Sequence, residues 1–113
     1  MGRDSHYLTL MNQSMAHIMH YARAGRTAFM DSRRLQHATL WNVYLVSVAA
    51  RHLSDGLRRG HPEVDWDHVC ALARDVVQDP WDFDRSQVWG CIQEELPELR
   101  RTLKRIINEA HRK

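Results

Sequence analysis

Two cysteines, three prolines and five glycines are all that 113 residues hold of the types that most often staple or break a chain. Cys70 and Cys91 lack the close spacing of a zinc or redox motif. They read as small buried hydrophobes of a reducing compartment, with no disulfide expected. No apolar run approaches the ~18 to 20 residues that a membrane span needs, and the opening MGRDSHYL lacks the apolar core of a signal peptide. The expectation is a soluble, cytoplasmic protein. Strand signals are missing as well, because nothing alternates with period two over a useful length. There are no internal repeats or low-complexity tracts, no glycine-rich phosphate loop, no metalloprotease motif and no zinc-finger spacing. No cofactor or metal site is therefore expected.

What the chain does have is ordinary globular material, 43% apolar and 27% charged, enough for one compact domain over residues 1–113 and too little for two. The first segment has Asp4 or Ser5 as its N-cap and a stripe of Leu8, Met11, Met15, Ile18 and Ala22, with Gly25 as its stop. RTAFMD reads as a short turn or a single helical turn. A second helix starts near Ser32, carries Leu35, Ala38, Leu45, Ala49 and Leu53 on one face, and ends at Gly56 and Gly60. Asn42 falls inside that stripe, so it is either a satisfied core amide, which the sequence favours, or part of a site. A third helix runs from the cap Asp65 through Val69, Leu72, Ala73, Val76 and Val77, and Pro80 stops it. A fourth begins at Asp84, which has capping-box spacing to Gln87, and carries Val88, Trp89, Cys91 and Ile92. Pro97 marks a kink or a restart before the stripe of Leu99, Leu103, Ile106, Ile107 and Ala110. The fold class is all-α, an up-and-down bundle of four to five helices.

Charge is unevenly spread behind a net of +2. Seven acids from Glu63 to Asp84 face Arg74 alone in sequence, while Arg100, Arg101, Lys104, Arg105, Arg112 and Lys113 crowd the C-terminus. Fourteen of the sixteen basic residues are arginine, which suits bidentate contact to phosphate or carboxylate. His17 and His20, at i and i+3, have no marked third metal ligand and read as surface polar groups, and the other histidines read as structural. Trp41, Trp66, Trp81 and Trp89 are many for this length; local packing accounts for most, with Trp41 and Trp81 as candidates for an interface.

HPEVDW (61–66), RDVVQDPW (74–81) and VWGCIQEELPELRRTLKRI (88–106), with RDSHYL near the start and WNVYLVSVAARHL (41–53), resemble the HepT-like branch of the HEPN superfamily over nearly the whole chain. The resemblance implies a homodimeric helical bundle and a metal-independent ribonuclease, the toxin of a toxin–antitoxin pair, partnered by a small nucleotidyltransferase. The family's motif is arginine, four residues, histidine, one residue, tyrosine. Its register here gives Arg74, then Asp79 in place of histidine and Trp81 in place of tyrosine, with Asp75 and Asn42 in the motif region. Trp41 stands where the family has an arginine, and Ser47 and Val48 where it has a glycine and a glutamate. Cleavage of RNA by its own 2′-hydroxyl requires proton transfer and a cation for the phosphorane. A carboxyl with an ordinary pKa of ~3.9 is a poor base there and hardly an acid. Trp81 also has no hydroxyl for the transferase to modify.

The sequence therefore favours a catalytically degenerate, dimeric interaction module that engages a nucleotidyltransferase-like partner. The alternative is a ribonuclease acting through Arg74, with Asp79 or a distant histidine substituting. RNA binding through Arg100, Arg101 and Lys104 ranks below both.

Overall fold

The computed structural model describes residues 2–76, 79 and 81–112, with Asp75 and Val76 as backbone alone. Its first helix, α1 (Gly2–Ala22), buries Leu8, Met11, Met15 and Ile18 along the expected stripe. Helical backbone already begins at Gly2, so neither Asp4 nor Ser5 is its cap. Asp4 instead serves another helix: its carboxylate accepts from the Ser54 N–H at 2.9 Å and from the Ser54 hydroxyl at 2.6 Å. Gly25 ends the first segment as expected, at φ 95°, a conformation in which a Cβ is strained. The short α2 (Arg26–Asp31) follows, and Gln36 Nε2 donates to its Phe29 carbonyl at 2.8 Å and its Met30 carbonyl at 3.1 Å.

Ser32 caps α3 (Arg33–Arg51), its hydroxyl accepting from the Leu35 N–H at 3.1 Å. The expected stripe is only partly the buried face of this helix. Ala49 and Leu53 are buried, Leu35, Ala38 and Leu45 are only half-buried, and Leu40, Val43, Val46 and Ala50 are buried beside them. The physical reason is position: α3 lies between α1 on one side and α5 on the other, so two faces are covered and a one-stripe reading does not apply. The helix also ends at Arg51, earlier than Gly56 or Gly60. Ser54 starts a separate helix, α4 (Asp55–Gly60), and Arg58 Nη2 donates to the carbonyls of Ala50 and Arg51, both at 3.0 Å, closing the end of α3.

Asp65 caps α5 (Trp66–Val76) as expected, accepting from the His68 N–H at 3.1 Å. Val69 and Leu72 are buried; the side chain of Val76, the residue Val77 and the stop at Pro80 lie outside the described residues. Asp84 caps α6 (Arg85–Gly90), accepting from the N–H groups of Ser86 at 2.9 Å and Gln87 at 3.1 Å. Beside Pro97 a new α-helix starts, α7 (Leu96–Arg112), and it follows α6 through one wide π-helical stretch, Cys91–Glu95, with no gap in helical backbone. The Leu96 N–H reaches back five residues to the Cys91 carbonyl. Proline brings no N–H to the turn behind it, and the widened turn stands at that place. Leu96, Leu103 and Ile106 are buried from α7, which packs on α1.

Four long helical bodies, namely α1, α3, α5 and the run from α6 to α7, thus surround one core, and no strand occurs among the described residues. This is the all-helical bundle that the periodicity predicts.

Candidate functional site

The end of α5 is held against α3 by one hydroxyl. Ser47, fully buried, donates to the Val69 carbonyl at 3.1 Å and accepts from the Ala73 N–H at 3.1 Å. An α-helix joins those two groups to each other, so Ser47 enters the ladder of α5 one residue before Arg74. At this position, where the resembled family has a glycine, Ser47 fixes the backbone that carries Arg74.

The chain then passes through a turn. The Asp79 carboxylate accepts from the Trp81 N–H at 2.9 Å, and the Asp82 N–H donates to the Asp79 carbonyl at 3.1 Å. Asp79 therefore shapes the turn that presents Trp81, and it is not among the residues lining the adjacent groove.

That groove, of about 560 Å³, runs between α3 and the end of α5. Its size falls in the range of small-molecule sites, ~300 to 1,000 Å³. From α3 come His37, Leu40, Trp41, Tyr44 and Arg51; Ala73 and Arg74 come from α5, and Trp81 closes it from the turn. Three large rings stand open to solvent here: Trp41 is 59% exposed, Tyr44 45% and Trp81 91%. Trp41 and Tyr44 lie with centroids 5.6 Å apart and planes tilted by 31°. A smaller, more polar pocket of about 270 Å³ adjoins, sharing His37 and Trp81 and adding Arg33, Gln36, Asp82, Phe83 and Arg85.

Of the residues expected to form a site, Arg74, Trp41 and Trp81 meet at this groove. Asn42 turns inward: it is 7% exposed and its Nδ2 donates to the Ala38 carbonyl at 2.9 Å, as a satisfied core amide. The side chain of Asp75 lies outside the described residues. Arg100, Arg101 and Lys104 are elsewhere, on α7, with Arg100 Nε donating to Asn12 Oδ1 on α1 at 3.5 Å. His37, Tyr44 and Arg51 are groove residues that a reading of the sequence passes over. Their signal is the spacing 37, 41, 44, 48, 51 on one helix, opposite the buried residues, but only the placement of α5 shows that Arg74 faces it.

The acidic run divides into separate tasks. Asp65 and Asp84 are caps. Glu63 pairs with Arg105, whose hydrogen bond holds its carboxyl below the ordinary carboxylate range. Asp65 caps α5 and Asp67 stands in its first turn, whereas Arg74, seven residues after Asp67, is about 10 Å further along the helix. His17 and His20 are exposed on α1, and among the described residues no group of three or more His, Cys, Asp or Glu is placed to hold a metal ion. Nor is any helix of the described residues long and apolar enough to cross a membrane.

A protein of Methanocaldococcus jannaschii named "Putative RNase MJ1380" is 17% identical over 76 residues, 67% of this chain and 70% of that protein. No solved structure matches at a comparable level of significance. The family described as ribonuclease HepT-like matches residues 11–106, which takes in every helix that builds the groove, and the chain belongs to that family.

Proposed function

We propose that this chain is a HepT-like ribonuclease of a toxin–antitoxin type system, acting on single-stranded RNA in the groove between α3 and α5 with Arg74 against the phosphate. The observation that carries the reading is the company Arg74 keeps: a second guanidinium, Arg51, and the exposed rings of Trp41, Tyr44 and Trp81 line the same space. Bases stack on open aromatic rings at ~1 to 3 kcal/mol each, and guanidinium is the side chain best shaped for phosphate. Of the acids between Glu63 and Asp84, Glu63 pairs with Arg105, and Asp65 and Asp84 bond to helix N-termini. The name of the archaeal relative supports the same substrate class. The test is a single-stranded RNA oligonucleotide incubated with purified protein. Binding weakens steeply with salt, cleavage is observed, and Arg74→Ala abolishes the cleavage while leaving the helical circular dichroism unchanged. Cleavage that survives Arg74→Ala rejects the role given to Arg74.

A second reading is favoured by the exposure of Trp81 at 91% and by the use of the Asp79 carboxylate in its own turn. In it the loop has lost its chemistry and the aromatic face docks protein: a second copy, forming a homodimer, and a nucleotidyltransferase-like partner. Co-expression with such a transferase followed by size exclusion distinguishes the two, because a silent module forms the complex and cuts no RNA. Both readings describe a cytoplasmic protein.

A further inference from the structure

We infer that His37 is the proton-transfer residue of the groove, taking the 2′-hydroxyl proton of an RNA nucleotide whose base lies on Trp41 and whose phosphate faces Arg74; this rests on the ribonuclease reading above. Strand cleavage by the 2′-hydroxyl at neutral pH is speeded by a group that accepts a proton in that range, and an imidazole is the side chain whose ordinary titration lies there. The loop offers Asp79 at the position where the family motif has its histidine, and that carboxylate is engaged with the Trp81 N–H outside the groove. Among the described residues that line the groove, His37 is the imidazole, and Arg51 and Arg74 are the cations.

The position of His37 matches the task in a second respect. It stands where the two pockets meet, the larger lined chiefly by rings and aliphatic carbon and the smaller by Arg33, Gln36 and Arg85 together with Asp82. Trp41, Arg51 and Arg74 line the larger groove with His37, so a base on Trp41 and a scissile phosphate at Arg74 share the space that the imidazole borders.

The chemistry balances. The 2′-oxygen bonds to phosphorus as its proton passes to His37, the bond from phosphorus to the 5′-oxygen of the next nucleotide breaks, and that oxygen takes a proton from water. The fragments end in a 2′,3′-cyclic phosphate and a 5′-hydroxyl, and the imidazolium returns its proton to solvent. Arg74 offsets the charge gathered on the phosphorane. His37 is exposed on α3, so its replacement leaves the core untouched.

The experiment compares the full-length protein with His37→Ala, His37→Gln, Arg74→Ala and a control, His17→Ala, on one single-stranded RNA oligonucleotide across pH 5 to 9. His37→Ala is expected to lower the cleavage rate by ~100-fold or more, to remove the acid limb of the pH profile, and to regain rate when free imidazole is added. His37→Gln behaves likewise, and His17→Ala retains the wild-type rate. If both His37 variants cleave within about threefold of wild type while Arg74→Ala is dead, the inference about His37 is overturned and the reading about Arg74 stands. A wild-type protein that cuts no RNA at any pH overturns the reading on which the inference rests.

Discussion

The Cys91 thiol shows how far a residue's chemistry depends on its surroundings. Burial, then the charge of Glu95 and the hydrogen bond to its carboxylate at 3.5 Å, push the thiol up to about 12. Burial also raises Cys70, which is half-buried. The reactive thiolate is thus scarce at neutral pH. Iodoacetamide at pH 7.5 is expected to leave Cys91 unlabelled in the native protein and to label both cysteines after denaturation, as read by intact mass. Burial of Cys91 and the absence of a bridge were legible from two unclustered cysteines. The inward turn of Asn42 was legible too, from its place among apolar neighbours. His37 and Tyr44 were not. Their importance comes from the approach of Arg74 across helices, thirty residues or more away in sequence, and spacing within one helix carries no information about which neighbour will cover it.

At the scale of helices, short-range signals proved reliable. Ser32, Asp65 and Asp84 all cap where a small oxygen-bearing side chain precedes an apolar stripe. Asp4 carries the same signal and does something else, because its partner, Ser54, is fifty residues away. Its carboxyl is pulled up by burial, but the two bonds from Ser54 and the charge of Arg3 outweigh this and hold it below its ordinary value. A group depressed in the folded state gives stability that is full at neutral pH and is lost as the pH falls through the folded value. The tie between α1 and α4 therefore weakens in acid, below the ordinary carboxylate range. Ser54→Ala removes both this tie and the cap of α4. It is expected to cost about 1 kcal/mol at pH 7, roughly 4 °C in Tm by differential scanning calorimetry, with a smaller difference at pH 3. An equal difference at both pH values would show that Asp4 contributes nothing. The stripe of α3 is only partly legible for a related reason: a helix covered on two sides has no single apolar face for periodicity to find.

Taken whole, the molecule is elongated, 45 × 25 × 21 Å, and its exposed rings are gathered on one side of it. Apolar exposure so concentrated marks a surface that is covered in use. In the docking reading a second copy covers it, and two-fold symmetry then brings the same patch of each copy together. On that reading sedimentation velocity finds a dimer that Trp41→Glu converts to a monomer with unchanged helical content; a wild-type monomer at high concentration removes it and leaves the rings to RNA. The bundle itself was legible because its stripes are strong, whereas the wide turn beside Pro97 was not, since a missing N–H can be met by a kink, a break or a wider turn.

The wider turn has a consequence for how this protein tolerates change. A π-helical stretch holds one residue more than an α-helix would over the same rise and rotation, so the extra residue is taken up inside the widened turn. Deleting a single position between Gln93 and Glu95 would let that turn close to ordinary α geometry while Leu103 and Ile106 keep their places in the interior. The stretch is therefore where this chain can lose a residue without rotating its last helix.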